Sequence, residues 1–138
     1  GGIRAILPKG NVTSRNAYEI MPFENSLVVM ALKGDQILEI ASYFIKAQKA
    51  QPLSGMTFTI TKNNTPANIL IQGKPIEKDK IYYVATNDYL ANGGDSMTFF
   101  AKGTEKFDLN YKLRNVLIDY FKEVDTVVAP KNVRITEE

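Results

Sequence analysis

Residues 81–95 read Ile-Tyr-Tyr-Val-Ala-Thr-Asn-Asp-Tyr-Leu-Ala-Asn-Gly-Gly-Asp. Aromatic and β-branched residues dominate Ile81–Asn87 and predict a β-strand, which we expect to be central and buried because it is too apolar to face water. The chain then reaches Gly93 and Gly94, whose backbone can adopt positive φ angles and lets a ligand approach closely. This stretch predicts a rigid strand that ends in a loop, and the rest of the chain is organised around it.

The side chains of this loop suit a ligand that carries both a ring and a diol. Tyr89 offers a flat aromatic face, and Asp95 offers a carboxylate with two acceptor oxygens. A nucleoside has both chemical features. The sequence Asn-Gly-Gly-Asp is, however, also typical of a plain surface turn. These residues alone therefore leave a nucleoside site and a structural turn as alternatives.

Composition narrows the possible functions. The chain has 138 residues, of which 44% are hydrophobic and 23% charged, as in an ordinary globular protein with one domain. The net charge of +2 is too small to favour a nucleic acid polymer as partner. No apolar stretch is long enough to cross a membrane. Because Gly1–Gly2–Ile3 already resembles the edge of a strand, we expect the chain to be a fragment of a longer protein.

The sequence contains no histidine and no cysteine. These residues supply most ligands of zinc and other transition metals, so we expect no self-contained catalytic metal centre. Nucleophilic schemes that pair serine or cysteine with histidine are excluded. We therefore predict no catalytic residue and no metal ligand in this chain.

Hydrophobic patterning predicts a single α+β domain, a mixed β-sheet flanked by helices. The long helix, from Asp35 to about Lys49, has one apolar face and is predicted to be a scaffold without chemistry. The last helix, capped by Asp108 or Asn110, should bury Leu113, Leu117, Tyr120, Phe121 and Val124. The other predicted elements are a helix over Arg15–Met21 capped by Ser14, and strands over Ile3–Leu7, Ser26–Leu32, Met56–Thr61, Ile69–Ile71 and, at the edge, Val133–Ile135.

Two further residues are candidates for binding. Arg4 lies in the first predicted strand, where it is either an ordinary surface arginine or an anion clamp, since a guanidinium matches phosphate geometry. Phe23 lies just before a strand, much as Tyr89 lies just after one. Burial as a core anchor is the commoner role of phenylalanine, and a stacking platform is the alternative.

Three fragments, in order, resemble the C-terminal domain of the 5′-nucleotidase family, which includes UDP-sugar hydrolases and 2′,3′-cyclic-nucleotide phosphodiesterases. The fragments are Gly1-Gly2-Ile3-Arg4-Ala5, Pro22-Phe23-Glu24-Asn25-Ser26-Leu27, and Asn87 to Asp95. Shorter signs between them agree, such as Ser54-Gly55-Met56 and Ile71-Gln72-Gly73-Lys74-Pro75-Ile76. The resemblance covers nearly the whole chain.

The resemblance implies a division of labour between two domains. An N-terminal metallophosphoesterase domain, absent from this chain, holds two divalent metal ions. The C-terminal domain, residues 1–138 here, grips the nucleotide. The implied roles are phosphate binding by Arg4, a base sandwich between Phe23 and Tyr89, a base-edge hydrogen bond from Asn25, and ribose recognition by Asp95, with Gly2, Gly93 and Gly94 in the binding motifs.

Asp95 has an alternative role, because an aspartate after two glycines commonly accepts N–H groups of its own turn. We expect it to bind ribose instead, since the glycines already supply the unusual backbone angles. The sequence also departs from the family pattern at three places. The family usually has an asparagine and a third glycine before Gly-Gly-Ile-Arg, and the chain begins inside that longer motif. Ser96–Met97 stands where a glycine and an aromatic residue are common, and Tyr89 conservatively replaces a phenylalanine.

The sequence therefore predicts the nucleotide-binding domain of a 5′-nucleotidase-type hydrolase, with a catalytic domain in cis or in trans and no activity in this chain alone. Such a protein is expected in the periplasm, outside the cell or on its surface. A non-catalytic nucleotide- or nucleoside-binding module is the alternative. A third possibility is an interaction domain with a vestigial pocket.

Overall fold

The structure is a computed structural model that describes residues 3–49 and 51–138. Its strands form two sheets rather than the single mixed sheet expected from the sequence, within the predicted α+β class. The strands are β1 (Ser26–Lys33), β2 (Met56–Ile60), β3 (Pro66–Ile71), β4 (Lys74–Pro75), β5 (Ile81–Asn87), β6 (Glu105–Lys112) and β7 (Ile135–Glu137). The helices are α1 (Ser14–Ile20), α2 (Gly34–Ala47), α3 (Asp88–Ala91) and α4 (Leu113–Glu123).

The first sheet is antiparallel, with the order β5-β1-β6. Strand β1 lies at its centre because Leu27–Leu32 is apolar on both faces, and its alternate residues Val28, Met30 and Leu32 are buried in the core. Strand β5 has the predicted bounds, but the expectation that it is central and buried is wrong. It is an edge strand within the described chain, and its Tyr83 side chain is 68% exposed.

The second sheet has the order β4-β3-β2-β7. Strand β7 pairs in parallel with β2, from Phe58 opposite Ile135 to Ile60 opposite Glu137. The predicted edge strand near the end of the chain is therefore present, two residues later than expected. Strand β3 begins earlier than predicted, at Pro66.

Helix α2 packs between the two sheets and supplies much of the core. Ile37, Ile40 and Ala41 form its buried face. Its first residue, Gly34, lies against the backbone of the β4–β5 connection, where a Cβ atom would stand 2.1 Å from the carbonyl oxygen of Glu77. Two short 3₁₀ turns follow α3: Gly94–Ser96 lies in the loop of Gly93 and Gly94, and Thr98–Lys102 buries Phe99 and Phe100 beside helix α2. Met97, between the two turns, is also buried.

Two predictions are wrong, the strand over residues 3–7 and the helix cap at Asp108 or Asn110, and one strand was not predicted. Residues 3–7 form no regular strand: Ile6 is exposed, and the Arg4 N–H donates to the carbonyl oxygen of Ile20 at 3.1 Å. Strand β6 was not predicted, although Phe107, Leu109 and Tyr111 alternate with polar residues as they do in a strand. Asp108 and Asn110 lie within this strand and cap no helix.

The flanking helices differ less from expectation. Helix α1 is shifted by one residue from the prediction, and Thr13 rather than Ser14 caps it by exchanging hydrogen bonds with Asn16. In α4, the expected inner residue Tyr120 is exposed, and the buried residue is Arg114. This arginine binds the loop that carries Phe23, which is described next.

Candidate functional site

A cleft of about 840 Å³ opens where the loop before β1, the end of β5 and helix α2 meet. All five side chains that the sequence assigned to a ligand line this cleft: Arg4, Phe23, Asn25, Tyr89 and Asp95. They are up to 91 positions apart in the chain (95 − 4), so the fold brings them together. Gly2 lies outside the described residues. Gly93 and Gly94 are not among the lining residues, and they shape the loop that carries Asp95.

Aromatic and aliphatic side chains form the inner wall of the cleft. They come from α2, from the segment 51–54 and from the 3₁₀ turns: Tyr43, Phe44, Leu53, Met97, Phe99 and Phe100. Such a wall with a few polar groups at its mouth is the usual construction of a small-molecule site.

Phe23 projects into the cleft from an exposed position. Its side chain is 48% exposed, so the interpretation of this residue as a core anchor is not what the structure shows. The guanidinium carbon of Arg4 lies 5.1 Å from the centroid of the Phe23 ring. A cation at this distance from an aromatic ring is attracted by its π face. One face of Phe23 is therefore covered by Arg4 in this structure.

Tyr89 folds back over the glycine loop. Its hydroxyl donates to Oδ1 of Asp95 at 3.1 Å and accepts from the Asp95 N–H at 3.3 Å. Its ring covers Gly94 so closely that a Cβ atom there would lie 2.5 Å from a ring carbon. Any residue other than glycine at position 94 would therefore clash with the Tyr89 ring.

The backbone of this loop differs from the expectation that its glycines alone take unusual angles. Gly93 has φ 93°, but Asp95 and Ser96 are also left-handed, with φ 51° and 61°. The Tyr43 hydroxyl donates to the Asp95 carbonyl oxygen at 2.8 Å and holds this conformation from α2. Helix α2, predicted to be scaffold alone, therefore contributes Tyr43 to the site.

Asn25 is oriented by Asp88, which the sequence placed in the decisive stretch without a role. The Asn25 Nδ2 donates to Asp88 Oδ1 at 2.9 Å, and the same oxygen accepts from the N–H groups of Ser26 and Tyr89. Burial would raise the pKa of Asp88, but these hydrogen bonds outweigh it and lower the pKa below its ordinary value. Because the Asn25 amide nitrogen faces the carboxylate, its oxygen is left for other donors.

The loop that carries Phe23 and Asn25 is bound by Arg114 of α4, a residue that the sequence analysis missed. The Arg114 side chain is buried and pairs with Glu24, with Nη1 and Oε1 2.7 Å apart. The hydrogen bond and charge of Arg114 lower the pKa of Glu24. The sequence does hold one sign of this role. Arg114 lies beside the apolar face of the predicted last helix, and an arginine that is buried there is almost always paired with an acceptor.

The described residues contain no group of three or more His, Cys, Asp or Glu side chains that could hold a metal ion. The two metal ions that the resemblance implies therefore have no fitting ligand set in this part of the chain. No helix among the described residues is long and apolar enough to span a membrane.

Comparison with known families decides the identity of this fold. Residues 1–102 match the family described as 5′-nucleotidase, C-terminal domain. The chain belongs to this family. The match includes every predicted site residue and ends before α4, so Arg114 lies outside it.

Individual relatives of this 5′-nucleotidase C-terminal domain agree. The trifunctional nucleotide phosphoesterase protein YfkN of Bacillus subtilis is 32% identical over 145 residues, which cover 95% of this chain and 10% of that protein. The NAD 5′-nucleotidase of Haemophilus influenzae is 32% identical over 120 residues, covering 74% of this chain and 20% of that protein. The crystal structure of the 5′-nucleotidase precursor from Thermus thermophilus superposes with a TM-score of 0.87 and 28% identity, over 99% of this chain and 30% of that one.

The chain thus spans between 10% and 30% of the length of these relatives. The similarity shows the family and the fold of the domain. What the whole proteins hydrolyse is a property of those proteins.

Proposed function

We propose that this domain binds a nucleotide by its base and ribose and presents the phosphate to a dinuclear metal site on another domain for hydrolysis. The observation that carries the proposal is the convergence of five residues, selected from sequence motifs, on one cleft. The names of two relatives, a nucleotide phosphoesterase and a 5′-nucleotidase, support the same ligand class.

In the proposed complex the base stacks between Phe23 and Tyr89. Both rings line the cleft and both are exposed enough to receive a ligand. Stacking of a base on an aromatic ring contributes about 1–3 kcal/mol and tolerates different bases. The site should therefore bind several nucleosides with modest affinity.

Polar groups around the two rings would then orient the nucleotide. Asn25 would present its amide oxygen to a donor on the base edge, because its nitrogen is held by Asp88. Asp95 would accept from the ribose hydroxyls, a charge-assisted contact of roughly 1.5–3 kcal/mol. Arg4 would leave the Phe23 ring and bind the phosphate, which its fork of N–H donors fits.

The two metal ions would supply the activated water and stabilise charge at phosphorus, and they belong to a metallophosphoesterase domain in cis or in trans. This chain holds and orients the substrate. In line with the resemblance, we propose that the complete protein acts outside the cytoplasm, in the periplasm, at the cell surface or as a secreted enzyme.

Calorimetric titration of the purified chain with adenosine and with AMP tests the proposal. We expect weak binding of both, and Phe23→Ala should lose on the order of 1–3 kcal/mol for each ligand. Phe107→Ala is the matched control, since Phe107 is an exposed phenylalanine on the outer face of the first sheet, 42% exposed against 48% for Phe23.

Binding that is equal in the parent and in Phe23→Ala, or that falls equally in Phe107→Ala, would contradict the stacking site. The absence of any binding of adenosine, AMP and other nucleotides by the parent would contradict the proposed function as a whole and favour a vestigial pocket.

A further inference from the structure

Three consecutive residues at the junction of β6 and α4 bind five consecutive carbonyl groups of the loop that carries Phe23. Arg114 donates to the carbonyl oxygens of Met21, Pro22 and Phe23, at 2.9, 3.0 and 3.2 Å. The Lys112 Nζ donates to the carbonyl of Glu24 at 2.8 Å, and the Leu113 N–H to that of Asn25 at 2.9 Å. We call residues 112–114 the clasp, and residues 21–25 the Phe23 loop.

Arg114 contributes most of the clasp. Its side chain is 7% exposed, and its guanidinium donates to three carbonyls and to the Glu24 carboxylate. The ring of Tyr18 lies under the guanidinium, 4.0 Å from its central carbon. The planar guanidinium has five N–H groups in a fixed fork, so it can serve acceptors that point from several residues at once. A lysine, with one ammonium group, cannot reach the same set.

The Phe23 loop has no regular structure of its own to hold it, since it lies outside helices and strands and Pro22 has no N–H to donate. Its residues 22–24 are exposed, whereas the Arg114 guanidinium is buried and would be costly to leave without acceptors. The need of this buried cation for acceptors therefore determines where the loop can sit. The Phe23 ring itself is about half exposed, which leaves the position of its backbone to the clasp.

We infer that Arg114 is a positioning residue that holds the Phe23 loop in the conformation in which the base stacks on Phe23. This inference rests on the proposed function. It adds a positioning residue outside the ligand cleft, on a helix that the family match does not reach. Arg114 touches no ligand and acts through the backbone of residues 21–24.

The first experiment compares adenosine affinity in the parent and in Arg114→Lys by calorimetry, after circular dichroism has established that the variant is folded. We expect the adenosine affinity to fall by about two- to tenfold. This is the cost of ordering one side chain on binding, which Phe23 would incur if its loop were no longer held in place. Arg134→Lys is the matched control, because Arg134 is a half-buried arginine at the second sheet. It should bind adenosine as the parent does.

A double-mutant cycle with Phe23→Ala separates positioning from general stability. If Arg114 acts through Phe23, Arg114→Lys should have no further effect on adenosine affinity in the Phe23→Ala background. An equal loss in both backgrounds would overturn the inference while leaving nucleoside binding itself intact. Should Arg114→Lys not fold, Glu24→Ala replaces it, since Glu24 is a largely exposed partner of the same guanidinium. Glu24→Ala should lower adenosine affinity by less than Arg114→Lys does. It should have no effect on adenosine affinity in the Phe23→Ala background.

A ligand-free measurement distinguishes failure of this inference from failure of the proposed function. The NMR order parameter of the Phe23 amide should fall in Arg114→Lys from that of rigid backbone, about 0.85, towards flexible values. An unchanged order parameter would overturn the positioning role even if adenosine binds. A lowered order parameter in a protein that binds no nucleoside would support the clasp and refute the function.

Discussion

Gly94 illustrates how a single residue can be fixed by its neighbour rather than by its own backbone angles. Its φ is not in the left-handed region, and the Tyr89 ring fills the space of its missing side chain. Gly93 shows the opposite case, with φ 93° and nothing within 4 Å of the position that a Cβ atom would take. The sequence predicted that both glycines allow positive φ angles and close approach of a ligand, and it could not reveal that the Tyr89 ring packs against Gly94.

The two glycines therefore predict different outcomes for the same substitution. Gly94→Ala should displace the Tyr89 ring and weaken adenosine binding by about 1–3 kcal/mol, the contribution of one stacking partner. Gly93→Ala should lower the melting temperature through backbone strain, with a smaller effect on binding. Calorimetry and thermal melts of the two variants check this, and matching affinities in both would contradict the assigned role of Tyr89.

Asp95 combines the two roles that the sequence left open. Its carboxylate accepts from the Tyr89 hydroxyl and its backbone is left-handed, so a structural contribution is present; ribose binding stays a prediction. Asparagine is the best substitution for Asp95 in a test, because it tolerates a left-handed backbone and keeps one acceptor oxygen for the Tyr89 hydroxyl. Asp95→Asn should preserve the melting temperature and remove the preference for adenosine over 2′,3′-dideoxyadenosine. Equal binding of these two ligands by the parent domain would refute ribose recognition.

Arg4 lies over Phe23, where a base would stack, and this predicts opposite effects on two ligands. Arg4→Ala removes a cation–π contact of about 0.5–1 kcal/mol, so adenosine should bind as tightly as before or more tightly. AMP should bind more weakly, by roughly 1.5–3 kcal/mol, because a charged donor to its phosphate is lost. Parallel titrations measure both. An equal loss for adenosine and AMP would show that Arg4 is not a phosphate ligand.

Among the elements, the sequence predicted those with a clear apolar pattern and no competing interpretation. Helix α2 lies close to its predicted bounds because its apolar residues recur at helical spacing, and strand β5 has its predicted bounds because aromatic and β-branched residues dominate it. Strand β6 has the alternation of a strand in Phe107, Leu109 and Tyr111, but Asp108 and Asn110 between them were interpreted as helix caps, and only its pairing with β1 settles the choice. Residues 3–7 have a strand-like composition and no partner strand in the described fold.

The links between elements also escaped the sequence. Asp88 joins the Phe23 loop to α3, and Arg114 joins it to α4. Each contact unites residues more than sixty positions apart, so neither has a local signature. The candidate binding residues could be predicted because they lie in recognisable motifs, and the fold brings five of them to one cleft.

The carboxylates of Asp88 and Glu24 link separate elements, and they predict that the domain becomes less stable at low pH. Asp88 and Glu24 have folded-state pKa values below their ordinary values of 3.8 and 4.5. Their contribution to stability is therefore full above those ordinary values and is lost as the pH falls through the lower folded-state values. Thermal melts from pH 7 to pH 3 should show Asp88→Asn less stable at pH 7 and less sensitive to acid. Parallel curves for the variant and parent would contradict this.

At the scale of the whole molecule, binding and chemistry are expected to reside in different domains. The chain has no histidine or cysteine, and its described residues offer no metal-binding group. The purified chain should therefore release no phosphate from AMP, even with added Mn²⁺ or Zn²⁺, in a colorimetric phosphate assay. Turnover that follows this chain through purification and falls in Arg4→Ala would contradict the division of labour.

Isotope-filtered NOE spectroscopy can detect whether a nucleoside base lies between Phe23 and Tyr89. In a complex of labelled protein with adenosine, we expect cross-peaks from the adenine H2 and H8 protons to ring protons of both residues. Cross-peaks to neither ring, with contacts instead to Tyr83 and Phe107 on the outer face of the first sheet, would contradict this position of the base.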